Sequence, residues 1–180
     1  MYASTGRKFK IVIFASMKHI VLSIFATFLV LFTTAAQDLP SVNVLDADGK
    51  SVAVRSLADG KTPFILTMWA TFCKPCMKEL ETLTDEAVEW REAFPLRIYA
   101  VSVDDSRSYR RAVAMAAGSG WEGIVPLFDV NGDLCRALNV SAVPHAFVFD
   151  ANGKQIYTHI GFRPGDEAEL LSKLKAAAGK

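Results

Sequence analysis

The sequence predicts an α/β domain, a mixed central sheet flanked by helices, with a separate segment in front of it. Three observations carry this reading. From about residue 40 onward, short apolar runs of strand length alternate with longer stretches of helical periodicity. The last two strand-like runs, residues 146–149 and 155–160, are joined by Asp150-Ala151-Asn152-Gly153, a hairpin turn. The apolar excess of the 180-residue chain is local: residues 1–36 hold 23 apolar side chains, four basic ones (Arg7, Lys8, Lys10, Lys18) and no acid.

That first segment reads as an address. Residues 20–32 (IVLSIFATFLVLF) are apolar or small, preceded by Lys18 and followed by Thr33-Thr34-Ala35-Ala36-Gln37. A basic flank, a short apolar stretch and small residues at a cleavage site make a secretory signal peptide. Cleavage is expected after Ala36, and a start at Met17 would leave a compact signal of 20 residues. The alternative is an uncleaved anchor, for which residues 20–36 lie at the short limit of a membrane span. No cysteine follows closely enough for lipid attachment. The expected division is residues 1–36 as signal peptide or anchor and residues 37–180 as one domain, periplasmic or otherwise extracytoplasmic. Membrane contact is expected only if the segment stays uncleaved.

The domain carries 16 basic against 19 acidic residues, a net charge of −3, without a basic run. Nothing in this balance favours a nucleic-acid partner. Its apolar content, close to half, suits a folded domain with a single core.

Along the chain, residues 41–44 and 51–54 flank Asp46-Ala47-Asp48-Gly49 as a short strand pair. Residues 64–69 (FILTMW) form a buried strand by their unbroken apolar run. Residues 75–90 are a helix with Met77, Leu80, Leu83, Ala87, Val88 and Trp90 as its apolar stripe; Glu79, Glu81, Asp85, Glu86 and Glu89 line the rest. Residues 96–103 are the next strand. Asp104-Asp105-Ser106 caps a helix running to about residue 117, ended by Gly118-Ser119-Gly120. A short strand (125–128), a short helix (133–138), the closing hairpin and a last helix (167–178, started by Asp166) complete the domain. Helices between the earlier strands imply parallel pairing there.

The chemistry concentrates at Cys73-Lys74-Pro75-Cys76, between the buried strand and the amphipathic helix. Cysteines three apart across a helix start can approach closely enough to form a disulfide. The unpaired N–H groups and positive dipole end of the helix face the first sulfur and favour its thiolate. In such motifs the thiol pKa falls to roughly 3.5–7.5. Cys73 then attacks a disulfide and Cys76 resolves the mixed disulfide. Pro75 suits the first helical turn, where its missing N–H is not needed.

Trp69-Ala70-Thr71-Phe72-Cys73-Lys74-Pro75-Cys76, with Val143-Pro144 about seventy residues later and the closing hairpin, resembles thioredoxin. The sequence is more similar to the exported TlpA/ResA-like thiol–disulfide oxidoreductases, which share the early strand pair, a strand–helix insertion, a Glu three residues after the second cysteine and a segment like Asp129-Val130-Asn131-Gly132-Asp133-Leu134. The resemblance spans residues 40–175. It implies a thioredoxin fold and a reductant of protein disulfides, with a membrane thiol reductase as electron donor and no cofactor. It also implies Cys73 as nucleophile, Cys76 as resolving thiol and a cis Pro144, with Val143-Pro144 holding an extended substrate segment. Four positions depart from the family pattern. Phe72 stands for the usual Trp, Thr67 for a buried acid, Glu81 for a helix proline, and His145 for the Thr commonly found after the cis-proline.

Other residues keep two readings. Glu79 either faces solvent or exchanges the proton of Cys76. Trp69, Lys74 and Pro75 support the site, Trp69 by packing at the core or rim and Lys74 by adding positive potential. His145 tunes Cys73, contacts substrate or is merely a satisfied strand residue, and Cys135 is a buried inert thiol. Rival functions are an oxidant or isomerase of exported proteins, and a non-catalytic metal module using Cys73, Cys76, Cys135 and His145. A peroxidase is disfavoured, because neither Cys73 nor Cys76 follows a P-x-x-x-T-x-x stretch.

Overall fold

The computed structural model describes residues 37–179; the expected export segment, residues 1–36, lies outside them. The described residues form β1 (Asn43–Leu45), β2 (Ser51–Ala53), β3 (Phe64–Trp69), α1 (Lys74–Ala93), β4 (Arg97–Ser102), α2 (Tyr109–Gly118), β5 (Ile124–Phe128), α3 (Asp133–Ala137), β6 (His145–Phe149), β7 (Gln155–Ile160) and α4 (Asp166–Ala177). One sheet runs β2-β1-β5-β4-β3-β6-β7. β3–β4 and β4–β5 are parallel, each pair joined through a helix, and the remaining pairs are antiparallel. This is the thioredoxin fold, with β1–β2 as the early strand pair and β5–α3 as the insertion. No helix of the described residues is long and apolar enough to cross a membrane.

The alternation of side chains along each strand sorts the core into two layers. Ile65 and Trp69 of β3, Ile98 and Ala100 of β4, and Ala146 and Val148 of β6 pack with Leu80, Leu83, Ala87 and Trp90 of α1 and Leu170 and Leu174 of α4. Phe64, Leu66 and Met68, Tyr99 and Val101, and Phe147 and Phe149 pack on the other side with Val54, Leu57, Leu134 and Leu138. β3 is buried at all six positions, which is why its sequence is an unbroken apolar run rather than an alternating one.

Three expectations are corrected. Val54 leaves the sheet for a 3₁₀ turn, Val54–Leu57, that packs it into the second layer. Val88 is exposed, because the apolar stripe of α1 follows residues 76, 80, 83, 87 and 90, and position 88 points away from it. Asp104 does not cap α2, which begins only at Tyr109; Asp105 organises that entry, accepting from the N–H groups of Arg107 and Ser108.

Two turns are built alike. In Asp46-Ala47-Asp48-Gly49-Lys50 and Asp150-Ala151-Asn152-Gly153-Lys154, the leading Asp side chain accepts from the N–H groups two and four residues on. Both glycines adopt positive φ, 79° at Gly49 and 84° at Gly153. They differ in surroundings. A Cβ at Gly153 would lie 2.9 Å from Leu39 Cδ1 and 3.2 Å from the Ala58 Cβ, whereas at Gly49 it would meet only the Tyr109 hydroxyl at 3.5 Å. Both Gly→Ala changes carry the left-handed penalty of about 1–2 kcal/mol. Gly153→Ala should lose about 1 kcal/mol more than Gly49→Ala by overpacking, a difference readable from urea unfolding midpoints.

Candidate active site

The site forms where β3 ends. β3 leaves the sheet at Trp69, and the chain turns through Ala70-Thr71-Phe72-Cys73 with the Cys73 N–H donating to the Ala70 carbonyl at 3.0 Å. Cys73 is the N-cap of α1, and its sulfur accepts from the Cys76 N–H at 3.2 Å. This N–H is one of the first-turn donors without an intrahelical partner, and the helix dipole adds to the same effect. Cys73 and Cys76 are joined as a disulfide, with a Cα–Cα separation of 5.3 Å. Their exposure is unequal: Cys73 retains 7% of its surface and Cys76 none. Of the pair, Cys73 alone keeps any exposed surface. Lys74 and Pro75 are exposed in the first turn of α1, and Phe72, just before Cys73, is 76% exposed.

Glu79 is fully buried, which settles its two readings against the solvent-facing one. It follows Cys76 by three positions, so the two share a face of α1. Oε2 accepts from the Thr67 hydroxyl at 2.6 Å, and Oε1 has no partner among the described residues. Thr67 lies on β3 between Ile65 and Trp69, on the same side of the sheet as α1. Burial pushes the Glu79 carboxyl up to about 7; the Thr67 hydrogen bond pulls it down and the negative charge of Asp166 adds to the rise. The position left vacant by an acid at residue 67 thus carries a hydroxyl that holds the acid supplied by α1.

The Val143–Pro144 peptide is cis. Pro144 immediately precedes β6, which pairs antiparallel with β3 in the register Met68↔His145. Pro144 and the exit of β3 therefore share one end of the sheet. Val143 packs against both core layers.

His145 is not brought to the disulfide side. Alternation along β6 puts it with Phe147, on which it stacks at 4.2 Å between centroids, in the layer opposite to Cys73 and Cys76. Its Nε2 is 2.8 Å from the Thr158 hydroxyl, and burial followed by the nearby His159 pulls its pKa down. Cys135 packs against that second layer too, only partly buried, and its thiol is pushed up to about 12 by burial and by Asp129. Among the described residues no group of three or more His, Cys, Asp or Glu could hold a metal ion. Trp69 is buried with its ring edge-on to Trp121 at 5.0 Å, which makes it core packing beneath the site.

Two strand-end aspartates complete the surroundings. Asp104, two residues beyond the end of β4, accepts from Thr71 N at 2.9 Å, Thr71 Oγ1 at 2.7 Å and Ser102 Oγ at 2.9 Å. Asp129, after β5, accepts from the N–H groups of Leu134 and Cys135 and so starts α3. Sequence reading missed the first because an Asp ahead of a helix is an ordinary cap. Glu79 carried a usable signal: it falls at helical spacing among the apolar positions 76, 80, 83 and 87.

The model of the AhpC/TSA family matches residues 35–157. The chain is 32% identical over 117 residues to the thiol:disulfide interchange protein DsbE of Yersinia pestis, covering 65% of this chain and 58% of that protein. It is 25% identical over 133 residues to the thiol-disulfide oxidoreductase ResA of Bacillus anthracis, covering 74% of this chain and 73% of that one. The chain spans little more than half the length of the DsbE protein it matches. Among solved structures, an uncharacterised thioredoxin-like protein from Porphyromonas gingivalis aligns with a TM-score of 0.69 and 39% identity, covering 82% of this chain and 95% of that one.

A buried carboxyl raised from 4.5 to about 7 binds more protons in the folded than in the unfolded state between those values. Stability should therefore be full below pH 4.5 as far as Glu79 is concerned, and fall as pH rises through 7. Relative to Glu79→Gln, the oxidised wild-type protein should lose about 3 kcal/mol across that window, measured by urea unfolding at a series of pH values. Parallel pH curves for the two proteins would contradict the assignment.

Proposed function

The chain belongs to the AhpC/TSA family, and from that premise we propose that it is an extracytoplasmic thiol–disulfide oxidoreductase that reduces protein disulfides. The observation that carries the proposal is the Cys73–Cys76 disulfide across the first turn of α1, in which Cys73 keeps a little exposed surface and Cys76 none. The likeness to DsbE and ResA supports the same chemistry.

In the reduced form, the Cys73 thiolate attacks one sulfur of a substrate disulfide. A bond forms between Cys73 Sγ and that sulfur, and the other substrate sulfur leaves as a thiolate. Cys76 then gives its proton to the Glu79 carboxylate and attacks Cys73 Sγ, releasing the second substrate thiolate and forming the intramolecular disulfide. Two electrons pass from the cysteine pair to the substrate, whose thiolates take up two protons, one from Glu79. A carboxyl near 7 exchanges protons at neutral pH in either direction. A membrane dithiol reductase returns the pair to the reduced state. The substrate binds as an extended segment along Val143-Pro144, with exposed Phe72 as an apolar contact beside Cys73. In this reading residues 1–36 export the chain and residues 37–180 act as the redox domain.

Both cysteines of the site being engaged with one another favours this dithiol cycle over a peroxidase that uses a single reactive cysteine. The test is trapping. Cys76→Ser should accumulate mixed disulfides through Cys73 in the native compartment, identified by mass spectrometry, while Cys73→Ser should accumulate none. Finding no adducts at Cys73 would overturn the proposal. Glu79→Gln should slow turnover of a protein disulfide by roughly 10²-fold or more, with first-step adduct formation little changed.

A further inference from the structure

We infer that Asp104 is a positioning residue for Cys73, acting through the turn that presents the sulfur to the helix; the inference rests on the proposed thiol chemistry of Cys73. The turn Ala70-Thr71-Phe72-Cys73 connects the last residue of β3 to the N-cap of α1 and is closed by one backbone hydrogen bond, Cys73 N–H to the Ala70 carbonyl. Such a turn could swing as a hinge. Asp104 holds its second residue from outside with both carboxylate oxygens: Oδ1 accepts from Thr71 Oγ1, and Oδ2 accepts from Thr71 N and Ser102 Oγ.

The anchor is itself rigid. Trp69 pairs in register with Ser102, and the ladder extends one step further as Val103 N–H donates to the Trp69 carbonyl at 2.8 Å. Asp104 N–H returns to the Ser102 hydroxyl at 3.1 Å, and the Ser102 carbonyl accepts from Asp129 N–H at 2.9 Å. Three strand ends thus meet behind the turn. Asp104 is 6% exposed, Thr71 9% and Ser102 0%, so water competes little for these bonds. A carboxylate buried against three donors is a costly arrangement to keep where a simple loop would serve. Here it fixes the direction in which Cys73 Sγ meets the Cys76 N–H, the contact that favours the thiolate.

The full chain carrying Cys76→Ser, which leaves Cys73 as the lone thiol of the pair, is alkylated with iodoacetamide over a range of pH. Modification at Cys73 is read by mass spectrometry, and near-ultraviolet circular dichroism reports folding. Asp104→Ala should slow alkylation at neutral pH by roughly three- to tenfold and move the midpoint of the profile upward. Asp104→Asn keeps the shape: its carbonyl can accept from Thr71 N while its amide donates to Thr71 Oγ1, so its profile should stay near that of the parent. Thr71→Val should move the midpoint in the same direction as Asp104→Ala, and Thr71→Ser should restore it. Should Asp104→Ala not fold, the two Thr71 variants decide.

A folded Asp104→Ala or Thr71→Val with the parent profile would overturn the inference, leaving only a structural bond. Asp104→Asn shifting as far as Asp104→Ala would also overturn it, because the charge and not the clamp would then matter. Failure of the wild-type chain to reduce any protein disulfide would instead sink the functional reading, while the alkylation comparison still tests the clamp.

Discussion

The site depends on one abutment: a helix must begin where a buried strand stops, within a turn short enough to leave a sulfur on the helix's unpaired N–H groups. β3 supplies the fixed end. It is buried on both faces and paired on both sides, so the position of Trp69 is set by the whole sheet. α1 supplies the field, and its 20 residues are held against the first core layer by Leu80, Leu83, Ala87 and Trp90. The sulfur sits between a rigid plane and a rigid rod. A thiol in a free loop would have neither this donor nor the helix dipole beside it.

The second constraint is that this face of the sheet is dry, which gives each polar group there a large effect. Glu79 loses hydration and rises toward neutrality, where a carboxyl can both take and return a proton. A single hydroxyl, Thr67, keeps the group from rising further and orients one of its oxygens. Asp104 differs: with three donors around it the carboxylate acts as a brace, tying the turn to the end of β4. In the proposed cycle two buried acids serve one sulfur pair in different ways, Glu79 by its proton and Asp104 by its hydrogen bonds.

Most of the fold was legible in the sequence because its signals are local. The unbroken apolar run 64–69, the hairpin turn at 150–153 and the Cys-x-x-Cys at a strand–helix junction each carry their meaning within a few residues. What was not legible depends on register or on distant partners. Asp104 looks like a cap until Thr71, 33 residues earlier, is seen to fill both its oxygens. His145 is next to Pro144 in the chain, yet strand alternation turns it to the far side with Phe147. Val88 belongs to an apolar cluster by composition and to solvent by helical phase. Glu79 could have been placed, since its phase on α1 is that of the apolar stripe.

The most direct test of the central claim is the titration of the two thiols in the reduced protein, followed by NMR of cysteine labelled at Cβ. If the helix N-terminus holds the Cys73 sulfur as the structure indicates, Cys73 should titrate within roughly 3.5–7.5 and Cys76 well above it. Two thiols titrating together near the ordinary value of about 8.5 would contradict the account.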